Sequence, residues 1–402
     1  MGVKPPLCAG HRLRLLEGGA ALFPAMVEAM DRAQQLVHLE TYIFEFAHDA
    51  LQVAEALERA ARRGVTVRLL MDGVGTPHVP AEWAARLTRA GVQWRVYQPL
   101  GRWGLLIPSR WRRLHRKLCV VDGVVGFCGG INLIDDRDDV ALGRLGVPRL
   151  DFALAVQGPL VADMLDTMEQ LWWRQQAVRA ARQREFKAAW AALRATLPQP
   201  MPLPATPAPE PGALAALLVR DNVRHRHDIE KAYLKAIGEA RHEVVIANAY
   251  FIPGRRVRRA LRLAVQRGVR VRLLLQGRYE RFLQYHAARP VHHQLLAAGV
   301  EIHEYAPSAL HAKVAVVDGR WATVGSTNLD PLSLLLAREA NVVTTDADFA
   351  LALRNRLDTL MREQGTPLTL AEVAARPWHA RWRDAVAFAV MRTVLFLTGH
   401  RY

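Results

Sequence analysis

The chain has 402 residues, 51% hydrophobic and 23% charged, which suits two domains with cores of their own and excludes a disordered chain. Its formal net charge of +16 favours anionic partners, either nucleic acid or phospholipid headgroups. Cys8, Cys119 and Cys128 are too few and too irregular for a disulfide framework or a zinc site, and they fit a reducing compartment. No secretory signal is expected over Met1 to Arg14, and no apolar run is long enough to span a bilayer.

After a short leader, Glu17 to Gln35 has helical spacing, with Leu22, Met26, Val27 and Met30 on one face. A strand over Val37 to Phe44 follows, then a helix from Asp49 to Arg63 stopped by Gly64, and a strand from Val65 to Met71. A helix over Ala81 to Ala90, Gly91, and a strand from Val92 to Tyr97 complete the series. The second half repeats it: helix Ile229 to Ala240, strand Val244 to Phe251, helix Arg256 to Arg267, strand Val269 to Leu275, helix His292 to Ala298 and strand Val300 to Tyr305. Tyr42 matches Tyr250, Gly64 matches Gly268, and Gly91 matches Gly299. The alternation predicts an α/β fold in which one unit is used twice.

Between the copies, Pro159 to Leu197 reads as one or two helices. Leu197 to Gly212 carries seven prolines and reads as a linker. The expected divisions are a first repeat with trailing helices over 1–197, a linker over 198–212, a second repeat over 213–365 and a tail over 366–402. The tail, from Pro377 to Gly399, mixes Trp378, Trp382, Phe388 and Phe396 with Arg381, Arg383 and Arg392. It reads either as a helix docked on the core or as an interfacial helix with Trp and Arg at headgroup level. A second lipid-facing cue is the loop from Trp103 to Arg113, whose apolar residues could instead fold back on the protein's own core.

Two passages carry the chemistry. His115-Arg116-Lys117 leads through an apolar run to Asp122, then to Gly129-Gly130-Ile131-Asn132; His311-Ala312-Lys313 leads likewise to Asp318, then to Gly325-Ser326-Thr327-Asn328. Both read H-x-K-x-x-x-x-D with a small-residue pair and an Asn, at a constant offset of 196 (311 − 115 and 328 − 132). On a strand, positions i and i+2 face the same way, so each His and Lys project together. Imidazole serves as nucleophile or proton donor near neutral pH, and an ammonium holds a phosphate oxygen. The chain has only 6 Lys against 48 Arg, and two of the six stand beside these histidines. The small-residue tails, including Gly130, let backbone N–H groups approach an anion.

The doubled motif resembles that of the phospholipase D superfamily, and within it the short bacterial cardiolipin synthases that lack N-terminal membrane spans. The resemblance covers Glu17 to about residue 365. It implies two tandem α/β sandwich repeats in one bilobal unit, with both His-Lys pairs in a shared active site. It also implies a phosphohistidine intermediate, with one His as nucleophile and the other as acid and base. It favours His115 as nucleophile and His311 as acid/base, although the near-symmetry of the motifs leaves the order open. Lys117 and Lys313, with Asn132 and Asn328, are expected to hold the phosphate, and Ser326 adds a hydroxyl near it. Asp122 and Asp318 complete the catalytic motif but follow their strands, and are expected to order the fold. Each His needs an orienting carboxylate, and the candidates are Asp151 and Glu339, at 36 and 28 residues from the His of their own repeat (151 − 115; 339 − 311).

No metal or other cofactor is implied. The leading reading is a phosphatidyltransferase acting on phosphatidylglycerol, peripheral to the cell membrane at its cytoplasmic face. A hydrolytic phospholipase D and a superfamily nuclease are the alternatives. Nucleic acid is not expected as a partner, and no protein partner is inferred.

Overall fold

Leu118 and Val120 face one core while Cys119 and Val121 face another, so the strand after the first Lys is buried on both sides. Val314 and Val316 against Ala315 and Val317 repeat the arrangement after the second. An apolar run with no polar face is the mark of a central strand covered on both faces by helices. The computed structural model describes residues 7–101, 104, 108–139, 142–196, 212–221, 225–278, 282–330 and 337–397.

The first repeat runs β1 (Cys8–Glu17), α1 (Gly18–Arg32), β2 (Leu36–Thr41), α2 (Leu51–Arg62), β3 (Thr66–Asp72), α3 (Ala81–Ala90), β4 (Gln93–Tyr97), β5 (Lys117–Val121), β6 (Val125–Gly129) and β7 (Phe152–Gln157). Helices α4 (Leu160–Arg182) and α5 (Phe186–Arg194) follow. The second repeat runs β8 (Ala213–Arg220), α6 (Asp228–Glu239), β9 (Glu243–Asn248), α7 (Arg255–Gln266), β10 (Arg270–Gln276), α8 (Phe282–Leu296), β11 (Glu301–Tyr305), β12 (Lys313–Val317), β13 (Trp321–Gly325) and β14 (Ala337–Thr344). It is followed by α9 (Ala347–Gln364), β15 (Gly365–Leu368), α10 (Leu370–Ala374) and α11 (Trp378–Leu397).

Read outward from the middle, the sheet orders are β1-β7-β6-β5-β2-β3-β4 and β8-β14-β13-β12-β9-β10-β11. The two are the same, and β1 pairs antiparallel with β8 to join them. Helices α1 to α3 cover one face of the first half, and α6 to α8 the matching face of the second. On the other face, Met164 and Met168 of α4 and Leu353 and Leu357 of α9 pack with strand residues of both repeats. That shared core fixes the two halves against each other, so groups from both can meet with fixed geometry.

Several elements differ from expectation. The stretch read as a short leader holds a strand: Cys8–Glu17 joins the halves, and its alternation of Arg with Leu was the signal for it. Helix α8 begins ten residues before His292, with Pro290 inside it. A proline there reads as a break, because it removes a backbone donor. The division at residue 365 falls within β15, which pairs with β11 of the second repeat. The Pro-rich linker up to Pro211 and the loop residues Arg102, Trp103 and Leu105 to Ile107 lie outside the described residues.

The tail is a helix docked on the core, the first of its two readings, and it leaves one face outward. Helix α11 buries Ala380, Asp384, Ala387 and Met391 against the protein, with Asp384 2.5 Å from Nδ1 of His286 on α8. Its outer face exposes Trp378, Trp382, Val386 and Val390. No helix among the described residues is long and apolar enough to cross a membrane.

Candidate active site

The backbone brings the motifs together by pairing each with the other repeat. Arg113–Leu114 pairs in parallel with Ala337–Arg338 at the start of β14, and the N–H of His115 donates to the Arg338 carbonyl at 3.0 Å. Leu150 and Leu310 form the matching bridge, and the N–H of His311 donates to the Leu150 carbonyl at 2.8 Å. Each His therefore stands beside the residue that precedes the other repeat's carboxylate.

The orienting carboxylates are Glu339 and Asp151, but the pairing crosses the repeats. His115 Nδ1 lies 2.9 Å from Glu339 Oε1, and His311 Nδ1 lies 2.6 Å from Asp151 Oδ2. Counting from the His of the same repeat misassigns the partners. The carboxylates are 0% and 2% exposed, while the imidazoles keep 15% and 19% of their surface. A carboxylate on Nδ1 favours the tautomer that places its lone pair on Nε2. Both rings therefore present a basic nitrogen to the site.

Lys117 Nζ donates to the His115 carbonyl at 2.7 Å, and Lys313 Nζ donates to that of His311. Both lysines are buried. Burial pushes the Lys117 ammonium down to about 7, with Glu339 opposing and Lys313 adding to the shift. Burial also lowers His115, opposed by Glu339 and reinforced by Lys117 and Lys313. It drives His311 well below the ordinary imidazole range, helped by Lys313, Arg149, Lys117 and His115. Asp151 moves the other way, raised by burial to about 6. Charges of one repeat act on groups of the other throughout, so the four basic side chains form one site. It is poised for an anion, which would reverse the penalty on protonating a histidine.

At Gly130 and Ser326 the backbone N–H groups are spent within the sheet, and each residue makes room for or bonds a carboxylate. The N–H groups of Gly130 and Ser326 are spent on the Phe152 and Ala340 carbonyls, both at 3.0 Å. A Cβ on Gly130 would lie 2.4 Å from Asp151 Oδ1, so glycine is what lets that carboxylate sit there. Ser326, its counterpart, donates its hydroxyl to Glu339 Oε2 and accepts the Ala340 N–H at 3.1 Å. Its hydroxyl is thus placed on the carboxylate that holds His115. Asn132 and Asn328 are both buried, and Asn132 Oδ1 accepts the Ile43 N–H at 3.3 Å.

Asp122 and Asp318 lie at the far ends of β5 and β12, about 20 Å from the histidines at ~3.3 Å per residue. Asp122 accepts the N–H groups of Gln34, Gln35 and Leu36 at 2.8–2.9 Å, and Asp318 those of Arg241, His242 and Glu243 at 2.8 Å. Each closes its turn with positive φ (51° and 52°) and ties down the start of the neighbouring strand. They order the fold, and no contact with a phosphate is available to them.

Four further positions escaped the motif. The Tyr42 ring lies 5.0 Å from the His115 ring and 5.4 Å from Lys117 Nζ, walling the pair. Asp72 accepts the Leu114 N–H at 2.7 Å, and Gln276 the Leu310 N–H at 3.3 Å, each bracing the residue before a His. Both end matched strands, which was the available signal. Arg149 adds its charge to His311 and Asp151, and nothing in the motif spacing points to it.

Residues 26–138 and 233–361, which contain both histidines, match the family described as cardiolipin synthase, PLD-like domain. Cardiolipin synthase B of Escherichia coli strain K12 is 37% identical over 392 residues, covering 97% of this chain and 90% of that protein. Cardiolipin synthase A of Pseudomonas fluorescens is 33% identical over 355 residues, covering 88% and 69%. Among solved structures, the phosphatidylserine synthase of Haemophilus influenzae matches with a TM-score of 0.68 at 13% identity, over 97% of this chain and 96% of that one, a likeness of fold. With both repeats matched and relatives aligned along nearly its whole length, the chain belongs to the cardiolipin synthase family of phospholipase D-like proteins.

Proposed function

We propose that this enzyme, a phosphatidyltransferase of the cardiolipin synthase family, joins two phosphatidylglycerol molecules into cardiolipin and releases glycerol. The observation that carries the reading is the crossed pair of His–carboxylate couples converging with two buried lysines. In the first half-reaction, His115 Nε2 attacks phosphorus and the bond to the glycerol oxygen breaks. His311 supplies the proton that glycerol carries away, leaving a phosphatidyl-histidine. In the second, a glycerol hydroxyl of another phosphatidylglycerol gives its proton to His311 and attacks phosphorus. The P–N bond then breaks and His115 is restored. Lys117 and Lys313, with the amides of Asn132 and Asn328, hold the non-bridging oxygens as charge moves through them.

The lysine charges favour neutral histidines in the free site, as a nucleophile requires. The bound phosphodiester supplies the negative charge that lets the second histidine take up a proton. The same protein is proposed to lie on anionic bilayers at the cytoplasmic face of the cell membrane. Support comes from the outer stripe of α11, where Trp378 is 79% and Trp382 64% exposed and Arg381, Arg383 and Arg392 are exposed around them. The +16 charge is complementary to such a surface, and three unpaired cysteines suit a reducing compartment.

Labelled phosphatidylglycerol in vesicles is expected to yield cardiolipin and free glycerol, with acid-labile label trapped on His115 when the parent enzyme is quenched during turnover, and His311→Ala to slow the appearance of that label. Phosphatidic acid as the sole product would overturn the transfer reading in favour of hydrolysis. Turnover that survives His115→Ala would overturn the site itself.

A further inference from the structure

Helix α8 is longer than its counterpart α3, with 15 residues against 10, and the difference encloses a cleft. It opens between α8 and the ends of β9 and β10, walled by Tyr250, Gln276, Arg278, Tyr285, Arg289 and His292. It adjoins the second histidine. Gln276 Oε1 accepts the N–H of Leu310, the residue before His311, and β9 pairs Asn248 with Lys313 just ahead of Tyr250.

The walls hold buried polar atoms that the fold leaves unpaired. His292 is 5% exposed, and its Nδ1 has no hydrogen-bond partner among the described residues. Arg289, 7% exposed, is in the same position at Nε, while its Nη1 is committed to Glu304 at 2.6 Å. Such groups are costly to bury alone, and most native ones have a partner. Their chemistry indicates what is missing. The Arg278 guanidinium is spent on the Ala306 and Pro307 carbonyls at 2.9 and 2.7 Å, and Arg289 on a carboxylate, so the cleft has little charge left for an anion. Burial, with Arg289 and Arg376, pushes His292 down to about 3, so its ring is neutral and offers one donor and one acceptor. Hydroxyl groups, which both donate and accept, match that set.

Size agrees. The cavity is about 40 Å³. A water takes about 10–15 Å³ of such space, so there is room for about three waters or one small polyol. At the corresponding place in the first repeat stands Asp72, whose carboxylate is occupied by Arg113 and the Leu114 N–H. The two sides of the site therefore differ in what they can receive.

We propose that this cleft is the alcohol subsite, which seats a glycerol headgroup with the reacting hydroxyl toward His311, first as leaving group and then on the accepting lipid. The proposal rests on the phosphatidyltransfer reading and deepens it. It places the acid/base on the side of His311.

The test is product partition. Cardiolipin and phosphatidic acid arise from the same phosphatidyl-histidine, so their ratio reports only how well the acceptor competes with water. His292→Leu removes the polar ring and Ala288→Leu fills the cleft without removing a polar group, with thermal melts to establish folding. On phosphatidylglycerol vesicles, each folded variant is expected to lower the cardiolipin-to-phosphatidic-acid ratio by about tenfold or more, while label still enters His115. A wild-type ratio in both variants would overturn the subsite. If His292→Leu does not fold, Ala288→Leu decides alone. A wild-type enzyme that makes phosphatidic acid only would instead sink the transfer reading, and that failure appears before any variant is compared.

Discussion

Glu339 of the second repeat holds His115 of the first, with 2.9 Å between Oε1 and Nδ1. The contact fixes the ring's tautomer as well as its position. Glu339→Gln keeps the shape but can present an amide N–H to Nδ1, favouring the wrong tautomer. Turnover of phosphatidylglycerol is expected to fall about a thousandfold or more, with the melting temperature little changed. Asp151→Asn should do the same through His311. Full activity in either variant would break the proposed acid–base assignment.

The asymmetry between Gly130 and Ser326 predicts unequal penalties. Gly130→Ala drives a Cβ to 2.4 Å from Asp151 Oδ1, and is expected to cost about 1–3 kcal/mol in stability and nearly all activity. Ser326→Gly removes one hydrogen bond to Glu339 and should slow formation of the phosphohistidine about fivefold, a loss of ~1 kcal/mol. Rapid-quench measurement of the two half-reactions separates these effects. Unchanged rates for Ser326→Gly would show that Glu339 needs no help.

Lys117 gives the enzyme a pH limit. Its ammonium is held down to about 7, and the charged form is the one that grips a phosphate oxygen. As pH rises through about 7 the free enzyme loses that charge, so kcat/KM is expected to decline on the alkaline side. Lys117→Arg, which stays protonated, should lose this limb even if its overall rate is low. Stability runs the other way. A lysine whose folded value lies below its ordinary 10.5 weakens the fold at low pH and recovers the loss between about 7 and 10.5. Lys117→Met should therefore melt higher than the parent at pH 6, with the gap closing toward pH 10.

Asp122 and Asp318 are expected to fail as scaffolding. Either Ala variant loses three bonds from backbone N–H groups to a carboxylate, costing about 1–3 kcal/mol. The fraction that remains folded should keep the parental KM. Loss of kcat at full stability would assign them a chemical role that their position denies.

Membrane binding should follow the outer face of α11. The double variant Trp378→Ser, Trp382→Ser is expected to reduce sedimentation with anionic vesicles by about tenfold or more while leaving the melting temperature alone. Asp384→Ala, on the inner face, should instead lower the melting temperature by breaking the contact with His286. Equal vesicle binding by parent and double variant would leave the stripe without a role.

Much of this was legible in the residues. The i, i+2 spacing of His and Lys, the apolar runs and the Asp-Gly turns are local, and local pattern predicted the strands and the doubling. The two carboxylates were legible as residue types but not as partners. His115 and Glu339 are 224 positions apart, and only the crossing of strands between repeats brings them together. Similarly, the alternation in Cys8–Glu17 signals a strand, but not the partners on either side that make it the join. Pro290 hid the first turns of α8, and with them the cleft. The Gly130 and Ser326 N–H groups looked available for an anion because sequence does not show which ladder consumes them.

The crossed carboxylates also set the order in which the enzyme becomes dangerous to a membrane. Ribosomes add about 5–20 residues per second, so Glu339 follows Asp151 by about 10–40 s. Through that interval His115 lacks the carboxylate that orients it, and His311 itself is added only 28 residues before Glu339 (339 − 311). Phospholipid cleavage is therefore expected to begin only once the second repeat has docked, and a chain cut short before Glu339 is expected to be inactive.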